Sequence, residues 1–130
     1  MRAKDFQADA RTAAQRQVPI MVVFTSPTCP YCEVVKRDYL VPMHRDRANR
    51  NRVIIRELSV GSNAPITGFD GKPLTEAAFA AAHRVFVVPT VMVFDPRGEP
   101  VDEPIIGVLI PDFYYGYLEA AIEAGLARAR

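Results

Sequence analysis

Ile20-Met21-Val22-Val23-Phe24 is an unbroken apolar run, held between Pro19 and a Thr25–Thr28 turn that contains Pro27. Its length and β-branched content suit a strand buried on both faces. Such a strand requires cover above and below, which points to a layered α/β architecture. The only two cysteines of the chain follow the turn directly, in Cys29-Pro30-Tyr31-Cys32. Pro30 fits the first turn of a helix, where its missing N–H is not needed. That helix carries Tyr31, Val34, Val35, Asp38 and Tyr39, and Pro42 is expected to kink or end it.

The other elements read outward from this strand. Phe6, Ala10, Ala13, Ala14 and Gln17 recur at helical spacing behind Asp5, a plausible cap, and predict a helix over about residues 5–16. Arg45–Arg52 reads as a polar connection, Val53–Val60 as a second strand and Gly61–Leu74 as a loop broken by Gly68, Gly71 and Pro73. Thr75 caps a short helix through His83. Two apolar stretches split by Pro89 then run to Phe94. Asp95-Pro96-Arg97-Gly98 has the composition of a tight turn and predicts a hairpin of Thr90–Phe94 with Pro100–Val101. Ile105–Val108 reads as a further edge strand. A last helix is expected to be capped by Asp112 and to turn Tyr114, Tyr117, Leu118, Ala121 and Ile122 inward. Strands separated by helices predict a parallel half-sheet, and the closing hairpin an antiparallel half, in one α/β domain over residues 1–130.

Composition excludes several classes. Two cysteines cannot build a disulfide-dense scaffold or supply the four ligands of a structural zinc site. A net charge of +1 gives no global field for nucleic acid or anionic lipid. The longest apolar run is far below the roughly 20 residues of a membrane span. Met1–Arg16 lacks the apolar core of a signal peptide, which fits either a cytoplasmic protein or a mature form whose signal has been removed.

The cysteine pair is the candidate site. A helix N-terminus carries unpaired N–H groups and about half a positive charge, so Cys29 is expected to ionise below the free value of about 8.5. Cys32, one turn further in, is expected to be more covered. The arrangement predicts that Cys29 attacks a disulfide and Cys32 resolves the mixed disulfide. Three plainer readings compete. A structural disulfide would close a loop too small to constrain the unfolded chain much. Zinc would need Cys29, Cys32, His44 and His83, whose spacing is unlike that of a finger, so no metal is expected. Inert buried thiols would not need a helix start flanked by Pro and Tyr.

Phe24-Thr25-Ser26-Pro27-Thr28-Cys29-Pro30-Tyr31-Cys32, with Val88-Pro89-Thr90 placing Pro89 57 residues after Cys32, resembles the thioredoxin superfamily. The Asp95–Gly98 turn and Gly107 fit the same pattern. The resemblance spans about residues 5–125. It implies the thioredoxin fold: a central mixed sheet flanked by helices, with an N-terminal helix–strand extension. It also implies a thiol–disulfide oxidoreductase with Cys29 as nucleophile and Cys32 as resolving thiol. No cofactor is implied beyond the redox-active Cys29–Cys32 disulfide. Pro89 would be cis and face the cysteines, with the Val88 backbone pairing to substrate. Pro30, Tyr31, Thr90 and Gly107 would complete the substrate-binding surface, and Pro27 would join the docking face. The N-terminal helix and the Gly68–Leu74 loop are similar to bacterial thioredoxin-related proteins, many exported, some serving sulfur oxidation or cytochrome maturation. A periplasmic place in thiol-based electron transport is implied, with the cytoplasm as the alternative.

Three departures shape the expectation. Thr28 stands where thioredoxin has Trp, and Val23 where it buries a proton-relaying aspartate. Cys32 must then lose its proton to water or to another group, with Glu33 and Lys36 the nearest candidates in sequence. Pro-Tyr is the glutaredoxin dipeptide, which implies a potential of about −200 to −230 mV. The segments that hold glutathione in glutaredoxins are here Val87-Val88-Pro89 and Ile106-Gly107-Val108-Leu109, so glutathione stays open as a partner. The other expected partners are a protein disulfide and an upstream thiol donor. No dimerisation domain is visible, and a monomer is expected. A binding module or metallochaperone on the same fold is the alternative reading. Arg45, Arg47, Arg50 and Arg52 read as a solvated run able to steer acidic partners, His44 and His83 as surface or helix-end residues, and Tyr114, Tyr115 and Tyr117 as core and rim of the last helix.

Overall fold

The computed structural model describes residues 1–108 and 111–130. Helix α1 (Phe6–Arg16) starts where Asp5 accepts a hydrogen bond from the Ala8 N–H at 2.9 Å, and ends at Gln17 with a φ of 58°. Phe6 and Ala13, two turns apart, are buried. Ala14 and Gln17 face solvent, so the buried stripe is narrower than the apolar spacing predicts.

Strand β1 (Ile20–Thr25) is buried at every position, as its composition requires. It pairs in parallel with β2 (Ile54–Ser59) and antiparallel with β5 (Thr90–Phe94), and β6 (Pro100–Ile106) completes a sheet of order β2-β1-β5-β6. The two short strands expected after the Asp95–Gly98 turn are one strand. A register shift between Val91 and Val93, with Asp102 at a φ of 60°, lets the chain bulge and continue, so the polar Asp102-Glu103 pair does not break the ladder. Gly61–Leu74 is not wholly loop. It holds β3 (Pro65–Thr67) and β4 (Pro73–Thr75), a small antiparallel pair whose three-residue strands are too short to show alternation in sequence. Thr75 then accepts from the Ala78 N–H at 3.0 Å and opens α4 (Glu76–Ala82).

After the cysteines the chain stays helical for longer than expected. Helix α2 (Pro30–Val35) passes into a π-helical segment (Lys36–Leu40) and then α3 (Val41–Arg45). Pro42 does not end the helix. In an ordinary α turn its ring would meet the carbonyl of Asp38. The wider π turn before it, and its place in the first turn of α3, absorb both the ring and the missing N–H. The arginine-rich connection that follows is a 3₁₀ turn (Arg47–Asn51) capped by Asp46.

In helix α5 (Pro111–Ala129) Asp112 lies inside the helix instead of capping it. Its buried line is Tyr114, Leu118, Ile122 and Leu126, a strict i+4 series. Tyr117, expected inward, is 47% exposed. Gly125 lets this helix approach β1 and β5: a Cβ there would stand 2.5 Å from Pro19 Cβ and 2.9 Å from Val93 Cγ1. On the other side of the sheet, Phe6 stacks on Phe79 at 4.5 Å between centroids, with Phe69 and Phe94 beside them. The strand that carries the cysteine turn is thus fixed from both faces. No helix among the described residues is long and apolar enough to cross a membrane.

Candidate active site

The site begins where β1 ends. Cys29 is the N-cap of α2, with extended backbone (φ −113°, ψ 102°), and its Sγ accepts the Cys32 N–H at 3.1 Å. One helical turn brings the two Cα atoms to 5.2 Å, and the sulfurs are joined in a disulfide. Cys29 is half-buried, whereas Cys32 is 0% exposed. Only the sulfur at the cap is therefore open to attack from outside. Pro30 occupies the first turn, and Tyr31 projects from it, 67% exposed.

Sheet register brings the distant segment to the same end. Phe24 pairs with Thr90, and Thr90 with Ile106, so residues 86–89 and Gly107 lie beside the turn that holds Cys29. The Val88–Pro89 peptide is cis. The Gly107 N–H donates to the Pro89 carbonyl at 2.8 Å, and Gly107 takes a φ of 67° to do so. Pro89 is buried and Val88 half-buried, and the Val88 backbone N–H and C=O have no hydrogen-bond partner among the described residues. Thr90 is also buried, and its hydroxyl donates to the Val87 carbonyl at 2.6 Å, so it shapes the loop from within. Phe86, Val87 and Ile106 are 80%, 53% and 52% exposed, an apolar rim on this end of the molecule. A cavity of about 250 Å³ lies between that rim and Pro104. Leu109, the last residue of the stretch compared with glutaredoxins, lies outside the described residues.

A charged group that sequence reasoning missed lies against this helix. Glu57 on β2 is the register partner of Val23, the position where an aspartate was missing. Its carboxylate accepts from the Thr25 hydroxyl at 2.8 Å and pairs with the Lys36 ammonium at 3.0 Å; Lys36 also reaches Glu33 at 3.1 Å. Lys36 stands one turn after Cys32 on the same helix face. Burial pulls the Lys36 ammonium down, but the bonds to Glu57 and Glu33 and their charges outweigh it and raise its pKa above the ordinary 10.5. The signal available in the sequence was one charged residue between Arg56 and Leu58 in an apolar run, opposite a strand that ends in Thr25. His44 and His83 do not join this cluster. His44 is exposed in the last turn of α3, and His83 packs between Phe79 and Phe94, where burial lowers its pKa.

A family model for the thioredoxin-like domain matches residues 6–122 of the chain. The protein belongs to the thioredoxin-like family. Thioredoxin from Fasciola hepatica superposes with a TM-score of 0.62 at 17% identity, with 100% of each chain covered. Trxlp from Edwardsiella tarda gives 0.56 at 24% identity, over 85% of this chain and 91% of that one. The periplasmic thioredoxin SoxS of Paracoccus pantotrophus gives 0.54 at 16%, over 82% and 97%. At such identities the likeness speaks for the fold. No curated protein matches the sequence at a significant level. Family membership together with the CxxC pair makes the protein a thiol–disulfide oxidoreductase.

Proposed function

We propose that this member of the thioredoxin-like family reduces or exchanges disulfides of other proteins through Cys29 and Cys32. The observation that carries the reading is the asymmetry of the pair: Cys29 caps a helix at the surface, and Cys32 is sealed behind it. In the dithiol form the Cys29 thiolate attacks one sulfur of a substrate disulfide. A Cys29–substrate S–S bond forms, and the substrate's other sulfur leaves as a thiolate that takes up a proton. Cys32 then loses its proton and attacks the Cys29 Sγ, which forms the Cys29–Cys32 disulfide and frees the second substrate thiol. Two electrons have passed to the substrate, and an upstream thiol donor restores the dithiol.

The free Val88 backbone groups, Tyr31 and the apolar rim of Phe86, Val87 and Ile106 form the surface on which an extended segment of the substrate protein lies. The small net charge of +1 and the apolar rim favour a polypeptide over a small anionic thiol such as glutathione. The periplasmic thioredoxin among the structural matches supports an exported setting, and the sequence resemblance adds sulfur oxidation or cytochrome maturation as the pathway class. The test is Cys32→Ser with the protein exposed to bacterial extract, followed by mass spectrometry of what stays bound to Cys29. Mixed disulfides with proteins are expected. Recovery of glutathione adducts alone, or of no adduct, overturns the substrate assignment.

A further inference from the structure

A second cavity lies away from the cysteines. It has a volume of about 360 Å³ and sits against α1, α3, the 3₁₀ turn and the first half of β2. Because β1 and β2 are parallel and the cysteines follow the C-terminal end of β1, this cavity is displaced toward the opposite end of the sheet.

Its polar groups are unevenly matched. Asp9 is the one acid of the lining, and both its oxygens are taken by Arg56, each at 3.0 Å. The Asn49 Oδ1 is taken by Arg52 at 3.0 Å, and the Ile55 carbonyl by Arg56 at 2.9 Å. Against these spent acceptors stand free donors. Arg16 and Arg50 line the cavity and make no hydrogen bond or ion pair among the described residues. Arg52, the other end of the arginine run, is drawn away to Glu119 and Glu123 on α5.

The backbone adds one more donor. Ile54 and Val60 donate toward β1, to Pro19 and Thr25, while Glu57 donates outward to Met1 at 2.7 Å and Ser59 outward to Glu76 at 3.3 Å. By the two-residue alternation of a strand the Ile55 N–H also points outward, and it has no partner among the described residues. His44 completes the wall. Burial lowers its pKa, and the N-terminus, Arg56, Arg45 and Arg50 lower it further, as expected in a pocket of unbalanced positive charge.

The geometry points to a binding site for a compact multivalent oxyanion of the phosphate or sulfate type, held by Arg16, Arg50 and the Ile55 N–H. Guanidinium groups and an edge-strand N–H are the donors such an anion takes, and bonds to an ionised acceptor are the strong ones. The room available exceeds one tetrahedral group, so pyrophosphate should bind more tightly than phosphate.

The test is an amide ¹H–¹⁵N titration of the full-length oxidised protein with phosphate, sulfate, pyrophosphate and ribose 5-phosphate, at ionic strength held constant with sodium chloride. Saturable shifts are expected at Ile55, Asn49 and Arg50, with pyrophosphate tightest. Arg50→Ala and Arg16→Ala should each weaken it about tenfold without moving the urea midpoint, since both side chains are exposed. Tighter binding of the inorganic anions identifies a free anion as occupant, and tighter binding of ribose 5-phosphate an esterified one. Shifts that do not saturate, that match those from chloride, or that persist in Arg16→Ala/Arg50→Ala overturn the site.

Discussion

Lys36 and Glu57 place opposite charges beside the helix face of Cys32, so neutralising either should move the chemistry of Cys32 in opposite directions. Lys36→Met leaves Glu33 and Glu57 unopposed, which disfavours the Cys32 thiolate. Glu57→Gln leaves the ammonium less balanced, which favours it. The backbone positions of Cys32 and Lys36 are one helical turn, roughly 5.4 Å, apart, and a unit charge acting over that separation would be worth about 0.8–3 kcal/mol between effective dielectric constants of 80 and 20. That corresponds to about 0.5–2 pH units in the ionisation of the thiol. Nucleophilicity falls as a thiol becomes more acidic, with a Brønsted slope of about 0.4–0.5, so each unit changes the rate at fixed pH by only about three- to fourfold. The assay is single-turnover resolution of a mixed disulfide between Cys29 and a peptide thiol, followed by fluorescence from pH 5 to 10. Lys36→Met should shift the rate profile to higher pH and slow resolution near pH 7; Glu57→Gln should do the reverse. Lys36→Met/Glu57→Gln should lie between them. Shifts of both single variants in the same direction, or of neither, refute the reasoning, because a loss of packing alone carries no charge-dependent sign.

Two further outcomes test the fold around the site. Gly125→Ala forces a Cβ against the rigid Pro19 ring and should destabilise by about 1–2 kcal/mol in urea denaturation, the overpacking cost exceeding the helix-propensity gain; Gly116→Ala on the open face of the same helix, with nothing within 4 Å, should instead stabilise by about 0.5–1 kcal/mol. His83 is held below its ordinary pKa by burial, so the unfolded chain binds its proton first and the fold loses stability as pH falls below 6.5; thermal melts from pH 7.5 to 5 should show that decline, and His83→Phe should flatten it.

The central strand, the helix start at Pro30 and the placing of Cys29 and Cys32 were legible because each rests on local chemistry. An apolar β-branched run, a proline suited to a first turn and two thiols one turn apart need no distant partner to be recognised. Of the two outcomes expected at Pro42, the helix does not end there, since a π turn can absorb a proline that an α turn cannot, and nothing local distinguishes the two. The small β3–β4 sheet escaped notice because three residues carry no period. The last helix was shifted at its start and given Tyr117 as an inward residue, because aromatic character at helical spacing marks the core only when the neighbouring elements are known.

Glu57 was hidden for a different reason. Its relation to the cysteines is set by register across two parallel strands, and register is not written in the 33 residues that separate Val23 from it. The placement also follows from solvation. Val23 sits on a strand covered on both faces and is 0% exposed, so a carboxylate there would carry the full cost of burial. On β2 the Glu57 side chain keeps 13% exposure and gains the Thr25 hydroxyl and the Lys36 ammonium, itself 23% exposed. A carboxylate at the flank of the sheet, paired with Lys36 on the cysteine-bearing helix, is therefore less costly than one in the middle of it. An apolar β1 and a charged β2 answer two demands together: a fully packed central strand, and a carboxylate held against the helix that carries Cys32.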